Sequence, residues 1–377
     1  MEKSSVKEME DPSQEDVISL VNSMFQVSDY NKTEFSLEFK IEDIDFKSKF
    51  ESLARKLENM SYVCKLEKME ERGLYVIIQK FSQKKQRKWM STSWTPRILF
   101  AIVISFVMID GYYRTSGTNS IVEIGDPLEM AAIYTLSLLG ILGVHELGHI
   151  IAAKIHGLKT TWPYFIPGLP IIGIPTFGAF IQSKGLTINR EILFDVAIAG
   201  PIAGLAIAVI VSIYGAYTAP VLDSEIAAGL FEGSKLIEWD LGEPLLMTAS
   251  LALFGKGGAG HEVIMTPVMF AAWIGFLITF LNLLPAWQLD GGHMARTLFG
   301  AKLHKYATYG SMAILVLLNY WLMALLILFM SSRNPGATPL DDISPLSKNR
   351  KLAYLGIIVL AILCAPLPSG FLSGLLP

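Results

Sequence analysis

The chain has 377 residues, 52% hydrophobic and only 17% charged, where soluble domains average roughly 25% charged. A formal charge of −3 offers no basic surface for nucleic acid, so no nucleic-acid partner is expected. The two cysteines, Cys64 and Cys364, exclude a disulfide framework and a cysteine-rich metal site. The charge is unevenly spread: residues 1–97 are rich in Lys, Glu and Asp, and long apolar runs follow. The expected fold is mostly α, a polytopic membrane helical domain of about six spans behind a small N-terminal soluble α+β domain.

Residues 1–14 are polar and read as a disordered tail. The start Met1-Glu2-Lys3-Ser4 lacks the pattern of a cleavable signal peptide, so insertion is expected to rest on internal segments. Residues 15–90 read as the soluble domain. Asp16–Phe25 has helical periodicity, 33–41 alternates as a half-buried strand, and Phe46–Met60 is amphipathic. Residues 62–68 and 73–81 read as a β-hairpin. This domain carries no catalytic constellation and reads as a regulatory or substrate-docking module.

Residues 91–377 read as the transmembrane domain. Runs of about 20 apolar residues, enough to span a bilayer, lie at about 97–115, 129–156, 191–218, 264–285, 306–331 and 351–374. Lys84, Lys85, Arg87, Lys88 and Arg97 precede the first span, which places the N-terminal domain in the cytosol. Lys154, Lys159, Lys184, Arg190, Arg296, Lys302 and Lys305 fall on the same side, in the cell membrane if the source is prokaryotic. One loop dissents: Arg333, Lys348, Arg350 and Lys351 would lie outside in a six-span arrangement.

The second span holds His145-Glu146-Leu147-Gly148-His149. Two histidines four apart share one helix face and can reach one metal ion, with the glutamate between them placed as a general base. Ionisable groups at bilayer depth cost roughly 2.5–3.5 kcal/mol each on insertion scales, so three in one turn point to use. Lys154 marks the boundary, which puts His149 about 7–8 Å beneath the cytosolic face.

A catalytic zinc site usually takes a third protein ligand. His156 is one place late for the extended histidine pattern and would point about 100° away on a continuing helix. The better candidate is Asp290, in Asn282-Leu283-Leu284-Pro285-Ala286-Trp287-Gln288-Leu289-Asp290-Gly291-Gly292. There a span runs into Pro285, and Asp290 is expected in an unwound stretch with two glycines freeing the backbone to turn.

The His145–His149 motif, Asn282-Leu283-Leu284-Pro285 and Leu289-Asp290-Gly291 together resemble the site-2 protease family of intramembrane zinc metalloproteases. Phe194-Asp195 with Gly200-Pro201 and Gly204 resembles that family's glycine-proline motif. Pro163-Tyr164-Phe165-Ile166-Pro167 and Thr176-Phe177-Gly178-Ala179-Phe180 resemble its archaeal and chloroplast branch. The resemblance covers about residues 129–305 and implies hydrolysis of peptide bonds within or beside transmembrane segments of membrane proteins in the lipid bilayer. It implies one catalytic Zn²⁺ on His145, His149 and Asp290, with Glu146 as base. By carry-over Asn282 is a donor to the developing oxyanion, with packing or helix capping near Pro285 as the other reading.

Asp195 reads either as a hydrogen-bond acceptor for a ligand histidine's second nitrogen or as a helix cap. Gly200 and Gly204 read as close helix packing. The stretch Trp162–Gln182, broken by prolines and glycines, reads as a re-entrant or interfacial hairpin. Its edge at Thr176, Phe177, Gly178 and Ala179 reads as a substrate-binding strand or as a buried packing loop. The competing function is a membrane-embedded zinc-binding protein without protease activity, a transporter or a client-binding pseudoprotease. A protease acting outside the bilayer would draw its third ligand from a glutamate on a later helix, and no such motif is present. Substrate identity and oligomeric state are left open by the sequence.

Overall fold

The computed structural model describes residues 13–69, 73–81, 94–169, 173–181, 186–232, 241–256, 261–333 and 338–368. They fall into two compact units. The first contains the chain up to Gln86 with Leu186–Arg190 and Thr338–Pro345; the second contains the rest. The expected tail lies outside the described residues as far as residue 12, while Ser13 and Gln14 belong to the first helix and its cap.

In the first unit α1 (Gln14–Met24) begins at a reciprocal cap. The Asp16 amide donates to the Ser13 hydroxyl, and the Ser13 amide donates to the Asp16 carboxylate. Strands β1 (Val27–Lys32), β2 (Leu37–Ile41), β3 (Tyr62–Met69) and β4 (Gly73–Lys80) form an antiparallel sheet in the order β1-β2-β4-β3. β1 escapes the sequence reading because Ser28–Lys32 are all exposed and show no burial alternation. Between β2 and β3, α2 (Phe46–Asn59) buries Phe50, Leu53, Ala54 and Leu57, the stripe of an amphipathic helix. Leu37, Phe39 and Ile41 of β2, Cys64 and Leu66 of β3, and Val76 and Ile78 of β4 are buried too.

Two segments distant in sequence extend this sheet. The Leu66 amide donates to the Leu340 carbonyl at 2.9 Å, Leu340 to Thr187 at 3.0 Å and Asp341 to Ile188 at 2.7 Å. Arg190 pairs with Asp342 at 2.9 Å, and the Asn189 amide donates to Glu51 at 3.2 Å. The strand edge of β3 is thereby covered, which removes a site for edge-to-edge association.

The second unit is helical. α3 (Trp94–Asn119), α4 (Pro127–Ile155) and α5 (Arg190–Thr218) have 26, 29 and 29 residues and are long and apolar enough to cross a membrane. Between α4 and α5 the expected re-entrant stretch forms a hairpin of β5 (Tyr164–Leu169) and β6 (Ile174–Phe180), packed on α3. The short elements that follow are β7 (Val221–Asp223), α6 (Ser224–Glu232), β8 (Glu243–Pro244), α7 (Leu245–Ala252) and β9 (His261–Val263), with β7 paired to β9. α8 (Pro267–Leu283) packs on α4, and its Phe276 with Tyr134, Leu138 and Ile141 of α4 lies in the apolar core. Then come α9 (Asp290–Leu317), α10 (Trp321–Arg333), α11 (Lys348–Cys364) and β10 (Pro366–Leu367), which pairs with β8.

The single span expected over 306–331 is two helices. α9 ends at Leu317 with Leu318 as its cap, Asn319 adopts a left-handed φ of 67°, and α10 packs against α9. Asparagine takes that conformation at little cost, and one polar residue within a long apolar run was too weak a signal to mark a helix end. α9 carries a further break at Gly300, with φ 77° and ψ 178°. The Arg350 guanidinium binds both carboxylate oxygens of Asp195 near the start of α5, at 2.7 and 2.6 Å, so α11 begins where α5 begins.

Burial pushes the Cys64 thiol up to about 12. Native protein at pH 8 is therefore expected to leave Cys64 unmodified by maleimide, with labelling appearing only in denaturant. Peptide mapping of the labelled chain checks this.

Candidate metal centre

α4 is apolar on almost every side, yet His145, Glu146 and His149 are only 5%, 6% and 7% exposed. Burying imidazole rings inside a helix pair needs space, and α5 supplies it with glycine. A Cβ on Gly200 would overlap the His149 imidazole, and one on Gly204 would lie 2.9 Å from His145 Cβ. Gly148 of α4 in turn lies against the Ala199 carbonyl. These glycines pack helices closely as the small-residue spacing implies, and the surface they accommodate is the two histidine rings. That second part was not legible in the sequence.

The His149 orientation is fixed from α5. Its Nδ1 is 2.7 Å from the Val196 carbonyl, and since a carbonyl only accepts, Nδ1 carries the proton. Nε2 is left with its lone pair facing inward. Of the two readings of Asp195, acceptor for a ligand histidine or helix cap, the first does not hold for His149, whose Nδ1 meets the Val196 carbonyl. Asp195 is engaged by Arg350 and by His156, whose Nε2 is 3.0 Å away. One residue further along α5, a backbone carbonyl does the orienting instead. His156, at the C-terminal cap of α4, points to that cluster.

The third donor arrives from the broken end of α8. The helix stops at Leu283, Trp287 takes a φ of 44°, and its amide donates to Thr308 Oγ1 at 3.1 Å. The unwound stretch is 284–289, and Asp290 is the first residue of α9, which corrects its expected place in the non-helical segment. The two following glycines are helical rather than turning residues. A Cβ at Gly291 would strike the Leu283 carbonyl, and one at Gly292 those of Ala286 and Trp287. Glycine lets the start of α9 lie directly on the broken end of α8, which carries the carboxylate inward.

The result is a compact triangle. His145 Nε2 and His149 Nε2 are 3.1 Å apart, and Asp290 Oδ2 is 3.4 Å from the first and 3.3 Å from the second. A tetrahedral ion with bonds of 2.0–2.1 Å needs donors about 3.3–3.4 Å apart. Two imidazole nitrogens and a carboxylate oxygen at this spacing fit a divalent cation in both distance and chemistry, and among the described residues this is the group able to hold one. Asn282, in the last turn of α8, places its amide nitrogen 3.4 Å from His145 Nε2, beside the triangle.

Thr176, Phe177, Gly178 and Ala179 lie in β6, which packs on α3 and α4. The Thr176 hydroxyl donates to the Ile166 carbonyl across the hairpin at 2.9 Å and accepts from the Gly178 amide at 3.1 Å. Gly178 has a φ of +93°. Phe177 projects outward and is 58% exposed.

Long apolar helices, a His-Glu-x-x-His helix and an aspartate delivered from a broken helix define a membrane-type metallopeptidase architecture. The sequence matches peptidase family M50 over residues 133–326, and the chain belongs to that family. It is 32% identical over 247 residues to "Probable zinc metalloprotease EGY2, chloroplastic" of Arabidopsis thaliana, covering 61% of this chain and 41% of that protein. It is 31% identical over 248 residues to "Probable zinc metalloprotease EGY1, chloroplastic" of the same plant, covering 61% and 42%. With "Probable zinc metalloprotease EGY3, chloroplastic" of Oryza sativa subsp. japonica the identity is 26% over 298 residues, covering 73% and 48%. The chain thus spans about two fifths of the length of the first of these relatives. No solved structure matches significantly.

If glycine at position 200 makes room for the His149 ring, Gly200→Ala is expected to lower zinc affinity roughly 10- to 100-fold, the range seen when partners that orient a ligand are lost. Zinc titration with a competing chelator measures it, with circular dichroism to verify retained helix content.

Proposed function

We propose that the chain is an intramembrane zinc metalloprotease that hydrolyses peptide bonds in or next to transmembrane segments of membrane proteins. The observation that carries this reading is the triangle of His145, His149 and Asp290 donors, with the Glu146 carboxylate buried in the same turn. Membership of family M50 and the names of its relatives, zinc metalloproteases, support zinc as the ion.

Zinc held by the three donors supplies Lewis acidity, which activates water near neutral pH and polarises a carbonyl oxygen. Glu146 takes the proton from the attacking water and returns it to the leaving amine. The Asn282 amide, next to His145, donates to the oxygen on which charge develops. Val196 keeps His149 in the tautomer that offers Nε2 to the ion.

The membrane setting is supported by the three long apolar helices and by burial of the site within them. Substrate would unwind and add as a strand to β6, whose pairing with β5 leaves its other edge open among the described residues. The site and the N-terminal domain face the cytosol in this reading. The bond from Arg350 to Asp195, which His156 at the end of α4 also reaches, supports this reading, since basic residues gather on the cytosolic side under the positive-inside rule.

The test is cleavage of a single-span reporter in proteoliposomes, with products sequenced by mass spectrometry. Glu146→Gln is expected to lose at least about 10²-fold in rate while keeping one zinc per chain, the signature of a lost general base. Asp290→Asn and His149→Ala are expected to lose zinc and activity together. Activity surviving in zinc-loaded Glu146→Gln, or no cleavage by the zinc-loaded wild type of any single-span substrate, would overturn the reading. Separately, Gly178→Pro, whose ring cannot take the φ of +93° held there and which removes the amide that donates to Thr176 Oγ1, is expected to reduce cleavage with zinc content unchanged.

A further inference from the structure

The β5–β6 hairpin is fastened along α3 at two points. At one end the rings of Phe100 and Phe165 are 4.7 Å apart. Arg114 lies fourteen residues further along α3, about 21 Å along the helix axis. There Arg114 Nη2 donates to the carbonyl of Gly173, at the far end of the hairpin, at 3.1 Å. Gly173 lies at the turn, next to the Leu169–Ile174 pair, and Phe165 lies near the open end, so the hairpin is held at both ends.

Arg114 is held firmly enough to act as an anchor. Its Nε donates to Asp110 Oδ2 at 2.7 Å, and its guanidinium carbon lies 3.6 Å from the centre of the Phe270 ring. The Tyr134 hydroxyl donates to the same Asp110 oxygen at 2.8 Å, and Asp110 is 5% exposed. One guanidinium thus ties together α3, α4, α8 and the hairpin. Gly173 has a φ of +75°, and a Cβ there would lie 3.2 Å from the guanidinium, so the chain closes directly on it.

An isolated two-stranded ribbon is marginally stable, and its register is weakly specified where glycine and proline interrupt the strands, as Pro167, Gly168, Pro175 and Gly178 do here. A slip of one residue would turn β6 over. We propose that Arg114 is a positioning residue that latches the hairpin to α3 and sets the register in which β6 presents substrate to the metal centre. This rests on the reading of β6 as the substrate strand. Asp110, Tyr134 and Phe270 are contacts that a purely structural arginine could make; the bond to Gly173 is the one that role does not require.

The deciding variant is Arg114→Lys. An ammonium keeps the charge opposite Asp110 but cannot also reproduce the planar fork that reaches Gly173. Arg114→Met, which leaves a buried carboxylate unpaired and endangers folding, serves only as a companion. The full chain in proteoliposomes is assayed with a single-span reporter for zinc content, KM, kcat and cut positions. A nitroxide on Phe177→Cys reports hairpin motion, since Cys64 and Cys364 are buried. Arg114→Lys is expected to keep wild-type zinc, to raise KM about tenfold with kcat within about a factor of three, as loss of one uniform positioning bond would. Cuts should spread over neighbouring bonds and the nitroxide spectrum should sharpen. Wild-type KM, a single cut and an immobile label in Arg114→Lys would overturn the latch. If Gly178→Pro loses cleavage in that case, the latch alone has failed. If Gly178→Pro cleaves like wild type, the β6 reading has failed and the latch's catalytic role with it.

Discussion

Two imidazole nitrogens and a carboxylate oxygen stand 3.1–3.4 Å apart among apolar helices. Polar groups brought together this closely away from water need a proton or a cation between them. With a cation they become a three-ligand centre. The rest of the second unit serves this convergence. Gly200 and Gly204 let α5 close over the rings, Val196 sets one tautomer, and the interruption after Leu283 lets a helix of opposite run bring in Asp290.

The same economy appears at the start of α5. Asp195 is one residue from the carbonyl that orients His149, yet it faces away and gathers Arg350 and His156. A half-buried carboxylate paired with a guanidinium and an imidazole is less costly than an unpaired one, and this cluster fastens α11 and the end of α4 to α5. In the first unit, Thr187–Asn189 and Leu340–Asp341 add to the β3 edge.

How much of this was legible in sequence depends on how local each signal was. The His145–His149 spacing fixes a shared helix face, and Asp290 follows a proline-broken apolar run, so these residues stood out from chemistry alone. The amphipathic stripe of α2 and the alternation of β2 were equally plain. What escaped was set by tertiary partners. β1 is exposed from Ser28 to Lys32, with no burial alternation to mark it, and its strand character shows in its pairing with β2. The reversal at Asn319 interrupts a long apolar run with one residue. The orienting group for His149 is a backbone carbonyl, which has no sequence signature, and a nearby acidic side chain drew attention instead. Gly291 and Gly292 were rightly marked as backbone positions, but the reason is close approach of carbonyls rather than a turn. Arg114, about four fifths of the way along an apolar helix, belongs to no motif.

The central claim is that this chain binds one divalent cation through two imidazoles and a carboxylate. Zinc K-edge X-ray absorption on the purified, detergent-solubilised full chain tests it most directly. The expected spectrum has only nitrogen and oxygen scatterers near 2.0–2.1 Å, with the outer-shell pattern of two imidazole rings, and the two-imidazole pattern disappears in a His145→Ala, His149→Ala double variant. Sulfur in the inner shell, a single imidazole, or a spectrum indifferent to that double variant would contradict it.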